Sequence, residues 1–329
     1  MSFFKRYSFV TIYIACFTAG FFSYAIITRY TKTPPLAFIE TRQPGDFKFI
    51  NPLIECDSAN FNLDTNFSDL KKNVTDYIDS QKKADTITHT SVYYRDMNNG
   101  PWFGIDENEA FSPASLVKVP LLVTYYKLAE KDHTILQKTL SVGSTFNHND
   151  QNVPPEVTLI PTKTYTVDEL INQMIIYSDN QAYDILIKNI DPTILSSTYN
   201  DLGVTIENDS NNLAGNILSV KSYASFFRIL YNSSYLSKEM SEKTLKLLSQ
   251  IKYTDGLVAS VPPVVTIAHK FGERSYIETS EKQMHDCGIV YLPKKPYLVC
   301  IMTRGKDFQK LNSTIKNISN IIYKHLTTN

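Results

Sequence analysis

The chain has no charge of either sign to spare: among 329 residues, 33 Lys and Arg balance 33 Asp and Glu. A chain that mainly binds nucleic acid needs a basic excess to meet phosphate, so this balance argues against that partner. Histidines are few, at 89, 133, 148, 269, 285 and 325, and none stands at ligand spacing from another. No metal or other cofactor is therefore expected. Cysteine is equally sparse. Cys16 and Cys56 precede the globular part, which leaves Cys287 and Cys300 as the candidates for a bridge between neighbouring strands in an oxidising compartment. Spacing alone leaves that bridge open, because diagonal strand positions often lie too far apart for one. Repeats and low-complexity tracts are also missing. What remains, at 43% hydrophobic residues, is ample for a folded core.

Charge disappears altogether between Arg6 and Arg29. A helix over 7–28 would be about 33 Å long, enough to cross a bilayer. The expected order is a short tail at 1–6, a transmembrane anchor at 7–28, a stalk at 29–65 and a folded domain at 66–329. A cleavable signal peptide would end in a small-x-small site, whereas the exit here reads Ile26-Ile27-Thr28-Arg29, which favours an uncleaved anchor. Lys5 and Arg6 face Arg29 and Lys32 across the span, so the positive-inside rule barely sets its orientation. Pro34-Pro35, Pro44-Gly45 and Asn51-Pro52 interrupt the next segment, which lacks periodicity and reads as stalk.

In the domain, Phe67, Leu70, Val74 and Ile78 recur at helical spacing. Ser91–Tyr94 and Trp102–Ile105 read as strands joined by a turn at Asn98-Asn99-Gly100-Pro101. Thr166-Val167-Asp168-Glu169 is a capping-box pattern for a helix through Leu170, Ile171, Met174 and Ile175, and a second helix follows from Ala182. Val264 to Lys270 has the β-branched content of a strand. A second hairpin is expected around Pro293-Lys294-Lys295-Pro296, then an amphipathic helix with Ile315, Ile318, Ile321, Ile322 and Leu326.

The chemistry centres on Ser115 and Lys118, one turn apart at the mouth of the apolar run Val117 to Val123. An amine kept neutral by burial can take the proton of a neighbouring hydroxyl, which makes a nucleophile without histidine. About one Ser-x-x-Lys is expected by chance in a chain this long, so the companions decide. Ser178-Asp179-Asn180 follows, then Lys270-Phe271-Gly272. An exact Ser-Asp-Asn arises by chance in only about one such chain in twenty. Taken alone, Ser178 to Asn180 could simply cap a helix and Lys270 could be a solvated strand-end lysine.

In that order the motifs resemble those of the penicillin-recognising serine hydrolases, specifically the class A β-lactamase group with its Ser-x-x-Lys, Ser-Asp-Asn and Lys-Thr-Gly. The resemblance spans roughly residues 65 to 325. It implies an α+β fold, an antiparallel sheet flanked by helices with an inserted all-helical lobe at roughly 120–255, preceded here by the transmembrane helix. By the same resemblance Ser115 is the nucleophile and Lys118 its base, Ser178 relays the proton to the leaving nitrogen, and Lys270 polarises that network. Asn180 would hold a substrate amide, Gly272 would let substrate lie along the strand, and the N–H groups of Ser115 and Glu273 would form the oxyanion hole. Phe271 departs from the motif, at small cost if strand alternation turns it away from Lys270. The partner would be a β-lactam or a D-alanyl cell-wall peptide, met by an extracytoplasmic catalytic domain on the cell membrane. The family's Glu-x-x-Leu-Asn does not appear in Thr205 to Leu213, where only Glu207 and Asp209 offer carboxylates for deacylation. That gap keeps open a β-lactamase, a D-alanyl peptidase, and a sensor or pseudoenzyme that is acylated without turnover.

Overall fold

The computed structural model describes residues 13, 17–18, 20–21, 23, 40–43, 45–56, 67–98, 100–143, 151–203 and 215–328. Met1–Phe38 with Asp57–Asn62 form one unit, and Ile39–Cys56 with Leu63–Asn329 form the other. In the first, Tyr13, Phe17 and Phe21 are helical and exposed. No helix among the described residues is long and apolar enough to cross a membrane. The anchor expected at 7–28 lies, apart from a few positions, outside the described residues.

The larger unit opens with β1 (Glu40–Arg42) paired antiparallel to β2 (Leu53–Cys56). This departs from the irregular stalk expected there. The connection between the two strands is held down because Glu242 accepts hydrogen bonds from the backbone N–H groups of Lys48, Phe49 and Ile50. Phe49 and Ile50 are thereby buried. The sequence concealed this because only two apolar side chains do the anchoring, with no period to betray them.

Helix α1 (Ser68–Lys83) buries Leu70, Val74 and Ile78, and is followed by strands β3 (His89–Asp96) and β4 (Trp102–Ile105) and the short β5 (Ala110–Phe111). A 3-10 turn at Ala114–Val117 leads into α2 (Lys118–Ala129). After β6 (Thr139–Ser141) and β7 (Thr164–Thr166) come α3 (Val167–Ile176), α4 (Asn180–Lys188) and α5 (Pro192–Asp201). Beyond β8 (Leu218–Ser219) lie α6 (Val220–Asn232), α7 (Lys238–Leu248), strands β9 (Ile267–Ser275), β10 (Lys282–Val290) and β11 (Tyr297–Gly305), and finally α8 (Phe308–Thr328).

The main sheet has the order β4-β3-β11-β10-β9, antiparallel throughout. β10 and β11 are buried along nearly their whole length, which requires cover on both faces. Helix α8 packs on β10 and β11 and on α1, which meets the edge strand β4, and α6 covers β3, β10 and β11 from the other side. The fold is thus α+β, an antiparallel sheet flanked by helices. The helical lobe is not purely helical, since β6 and β7 form a two-stranded ladder within it. Strand β9 begins at Ile267 and not at Val264, which is exposed: Pro262 and Pro263 cannot serve a strand interior, and the Val265 N–H turns back to the Pro262 carbonyl.

Cys287 and Cys300 stand directly opposite each other in the β10–β11 register, 4.0 Å apart at Cα, and are joined as a disulfide. They are not diagonal neighbours, so the geometric objection to a bridge falls away.

Candidate active site

Strand β9 is the edge of the sheet, and no strand among the described residues pairs with its outer side. That open edge runs past the turn carrying Ser115. A Cβ added to Gly272 would come within 3.2 Å of the Ser115 backbone nitrogen and of Leu116 Cγ, so any larger residue would press turn and strand apart by a few tenths of an ångström. Ser115 lies in the 3-10 turn and Lys118 opens the α-helix, so the pair straddles two helix types. Residues three apart nearly eclipse in a 3-10 turn, which preserves their contact. Ala114, just ahead, holds the left-handed region at φ 47°.

The third side of the cleft is the joint between α3 and α4. The capping box at Thr166 and Glu169 starts α3. Ser178 sits beyond its end at φ 56°, and Asp179 accepts a hydrogen bond from Ala182 N to cap α4. Asp179 thus braces the lobe while its neighbours turn inward.

These segments converge on one amine. Lys118 Nζ lies 3.1 Å from Ser115 Oγ, 3.2 Å from Ser178 Oγ, 2.6 Å from the Ser178 carbonyl and 2.7 Å from Asn180 Oδ1. The carbonyl and the amide oxygen can only accept, so they take two N–H bonds. A neutral amine then has its lone pair left for a hydroxyl proton. Burial is the main cause that pushes the Lys118 pKa down to about 7, against the opposing fields of Asp179, Asp184 and Glu273. Lys270 Nζ, also buried, donates to Ser178 Oγ at 2.9 Å and to the Phe271 carbonyl at 2.9 Å. Burial first and then the Lys118 charge hold its pKa well below the ordinary lysine value.

Phe271 is not remote from this group. Its ring stacks on Tyr253 at 4.1 Å between centroids, and Lys270 Nζ lies 4.1 Å from the Phe271 ring centroid. Alternation separates the two side chains at Cβ, but a lysine is long enough for its tip to fold back over the ring, so the expected separation does not hold at the amine.

The cleft in front of these groups has a volume of about 650 Å³. Ser115, Lys118, Asn180 and Glu273 all line it. Ser178, Lys270 and Gly272 stand behind them, through the contacts just given. Glu207 and Asp209 lie outside the described residues. Two features had no sequence signal. Gln151 comes from a stretch with no motif, yet accepts from Asn180 Nδ2 at 3.1 Å. The Glu273 side chain, considered only for its backbone, accepts from Val153 N at 2.8 Å. Burial raises the Glu273 pKa against the bonds it receives from Val153 and Asn152. Among the described residues, no group of histidine, cysteine and carboxylate side chains is placed to hold a metal ion.

Residues 69–326 match the sequence profile of the β-lactamase enzyme family. A search of curated proteins returns no match. Among solved structures, a PBP-A mutant captured as an acyl-enzyme complex with penicillin G superposes with a TM-score of 0.65 at 21% identity, covering 80% of this chain and 97% of that one. A β-lactamase from Chitinophaga pinensis gives 0.67 at 18% identity, over 78% of this chain and 99% of the other. A class A β-lactamase from Mycobacterium abscessus gives 0.66 at 19%, over 77% and 99%. At these identities the likeness is one of fold.

Proposed function

From the premise that this chain belongs to the β-lactamase enzyme family and is a serine hydrolase, we propose that it works through an acyl-enzyme on Ser115, formed with a β-lactam or a D-alanyl cell-wall peptide. The observation that carries this reading is the placement of the Lys118 amine. Its two N–H groups are matched by pure acceptors and its remaining valence faces two hydroxyls, 3.1 and 3.2 Å away. With a pKa of about 7 it is neutral for much of its time at neutral pH, as a base must be.

The steps then follow from the groups present. Lys118 takes the Ser115 proton as Oγ attacks the carbonyl carbon, and the carbonyl π electrons move to oxygen. The backbone N–H groups of Ser115 and Glu273 hold that oxyanion, and donors of this kind are worth about 3 kcal/mol each. As the intermediate collapses, the bond to nitrogen breaks and Ser178 delivers a proton to it, recovering one from the Lys118 ammonium. Lys270 donates to Ser178 Oγ, which eases proton loss from that oxygen. Asn180 presents its amide to the side arm of the substrate, and Gly272 leaves the strand edge clear.

Glu273 is the one carboxylate among the described residues that line the cleft, and it is already committed to Val153 N. The missing Glu-x-x-Leu-Asn pattern over Thr205 to Leu213 supports slow clearance of the acyl group, and with it a second reading as a sensor that is acylated and not turned over. Incubating the full chain with a fluorescent penicillin and a chromogenic cephalosporin tests both. The expected result is label retained on the protein with little colour, and Ser115→Ala must abolish the label. Rapid colour would instead assign a β-lactamase. Release of D-alanine from a D-alanyl-D-alanine peptide separates peptidase from sensor.

We further propose that residues 7–28 anchor the chain in the cell membrane with the catalytic unit extracytoplasmic. The uncharged run between Arg6 and Arg29 and the Cys287–Cys300 disulfide, which suits an oxidising compartment, support this. The full chain should sediment with membranes, and protease added outside protoplasts should digest its catalytic unit.

A further inference from the structure

We propose that Gln151–Val153 form a strap across the cleft, in which the Gln151 carboxamide occupies the place of a substrate amide and Glu273 is the anchor on the sheet side. The proposal rests on the acyl-enzyme reading for the identity of that subsite, and on geometry for everything else. At the helical end, Asn180 Nδ2 donates to Gln151 Oε1 at 3.1 Å, and Gln151 Nε2 reaches toward the Ser178 carbonyl at 3.5 Å. At the sheet end, Val153 N donates to Glu273 Oε1 at 2.8 Å. Three consecutive residues thus tie the α3–α4 joint to strand β9, between partners 29 and 120 residues away in sequence.

The chemistry of the helical end is that of an amide. A carboxamide oxygen accepts from Asn180 while its nitrogen approaches a backbone carbonyl, the pairing that a secondary amide of a ligand would also make. Asn180 is fixed in orientation, because its Oδ1 is held by Lys118 at 2.7 Å and its Nδ2 must therefore face the cleft. Gln151 takes one of the two N–H groups of Asn180 Nδ2, and a substrate amide that needs that N–H must displace it. The displaced bond is subtracted from the affinity the substrate would otherwise show. Substrates with an amide arm feel this competition, whereas those lacking the arm do not contest the position.

The test compares acylation of the full chain by benzylpenicillin, which carries an amide arm, and by 6-aminopenicillanic acid, which carries a free amine instead. In Gln151→Ala, the second-order acylation rate should rise about fivefold for benzylpenicillin, the size of one neutral hydrogen bond, and stay near its original value for the armless compound. A fall for benzylpenicillin would show that Gln151 binds substrate, and an equal change for both would show a general packing effect. Either overturns the strap. If wild type reacts with neither compound, the acyl-enzyme reading fails, and hydrogen exchange then decides the strap alone. Exchange at the Val153 amide should speed up in Glu273→Ala and in Gln151→Ala, and unchanged exchange in both would dismiss it.

Discussion

The two walls of the cleft hold their polar groups by different means. On the sheet side, Lys270, Gly272 and Glu273 belong to a nine-residue strand paired with β10 from end to end. Their positions are set by a cooperative ladder that no single side chain controls. On the helical side, Ser178 stands in a joint between α3 and α4 with a left-handed backbone, held by the Asp179 cap and by the bonds of Lys118 to the Ser178 carbonyl and Asn180 Oδ1. On the proposed mechanism one amine supplies the base, and the same amine fastens the wall opposite the sheet. Changes on the sheet side should alter electrostatics with the geometry largely kept, and changes at Lys118 should alter both.

The largest effect after loss of Ser115 is expected at Lys118. Lys118→Met should slow acylation about a thousandfold, within the range general-base removal produces. It should also release the α3–α4 joint, read as faster hydrogen exchange around 177–181. Lys270→Met removes one bond to the Ser178 hydroxyl, where Lys118→Met removes those to the Ser178 carbonyl and Asn180, so it should speed exchange there less while still slowing acylation. If the two variants exchange alike, the asymmetry between the walls is wrong.

The pH profile sharpens the same contrast. Only neutral Lys118 can act as base, so acylation should level off above pH about 7 and fall tenfold for each unit below it. The stability has its own sign. Burial lowers the folded-state pKa from 10.5 to about 7, so between those values the unfolded chain binds more protons and stability rises with pH. Lys270 is shifted in the same direction. The window closes toward pH 10, where buried tyrosines such as Tyr94 and Tyr253, whose pKa values are raised by burial, act oppositely. Denaturation measured from pH 7 to 9 should show the rise, and Lys118→Met should flatten part of it.

What could be read in advance divides along the same line. Ser115, Lys118, Ser178, Asn180, Lys270 and Gly272 were visible because an ordered set of short motifs is rare, and helices such as α1 and α8 because Leu70, Val74 and Ile78, or Ile315, Ile318 and Ile322, repeat at helical spacing. The docking of Phe49 and Ile50 was hidden because its partners come from far along the chain, Glu242 from 192 residues away at its nearest and Tyr291, which donates to the Phe49 carbonyl, from 242. The Gln151 and Glu273 side-chain contacts were hidden for the same reason: each joins residues brought together only by the finished fold. The Cys287–Cys300 pairing turned on a register that spacing cannot give.

The smallest effect isolates backbone from hydroxyl at the helical wall. Ser178 is buried and holds φ 56°, a conformation that costs a residue with a Cβ about 1 kcal/mol and glycine almost nothing. Ser178→Ala and Ser178→Gly both remove the hydroxyl proposed as proton relay, so their acylation rates should fall together. Alanine must still adopt the strained backbone and glycine need not, although glycine loses more entropy on folding. If strain dominates, the glycine variant should be the more stable of the two in denaturant by up to about 1 kcal/mol. The same pair of substitutions at Lys270, within a regular strand, should rank in the opposite order, because there glycine loses chain entropy and relieves no strain. Equal rankings at both positions would mean that the joint is no more strained than the strand, and the difference between the walls would have to be sought in Lys118 alone.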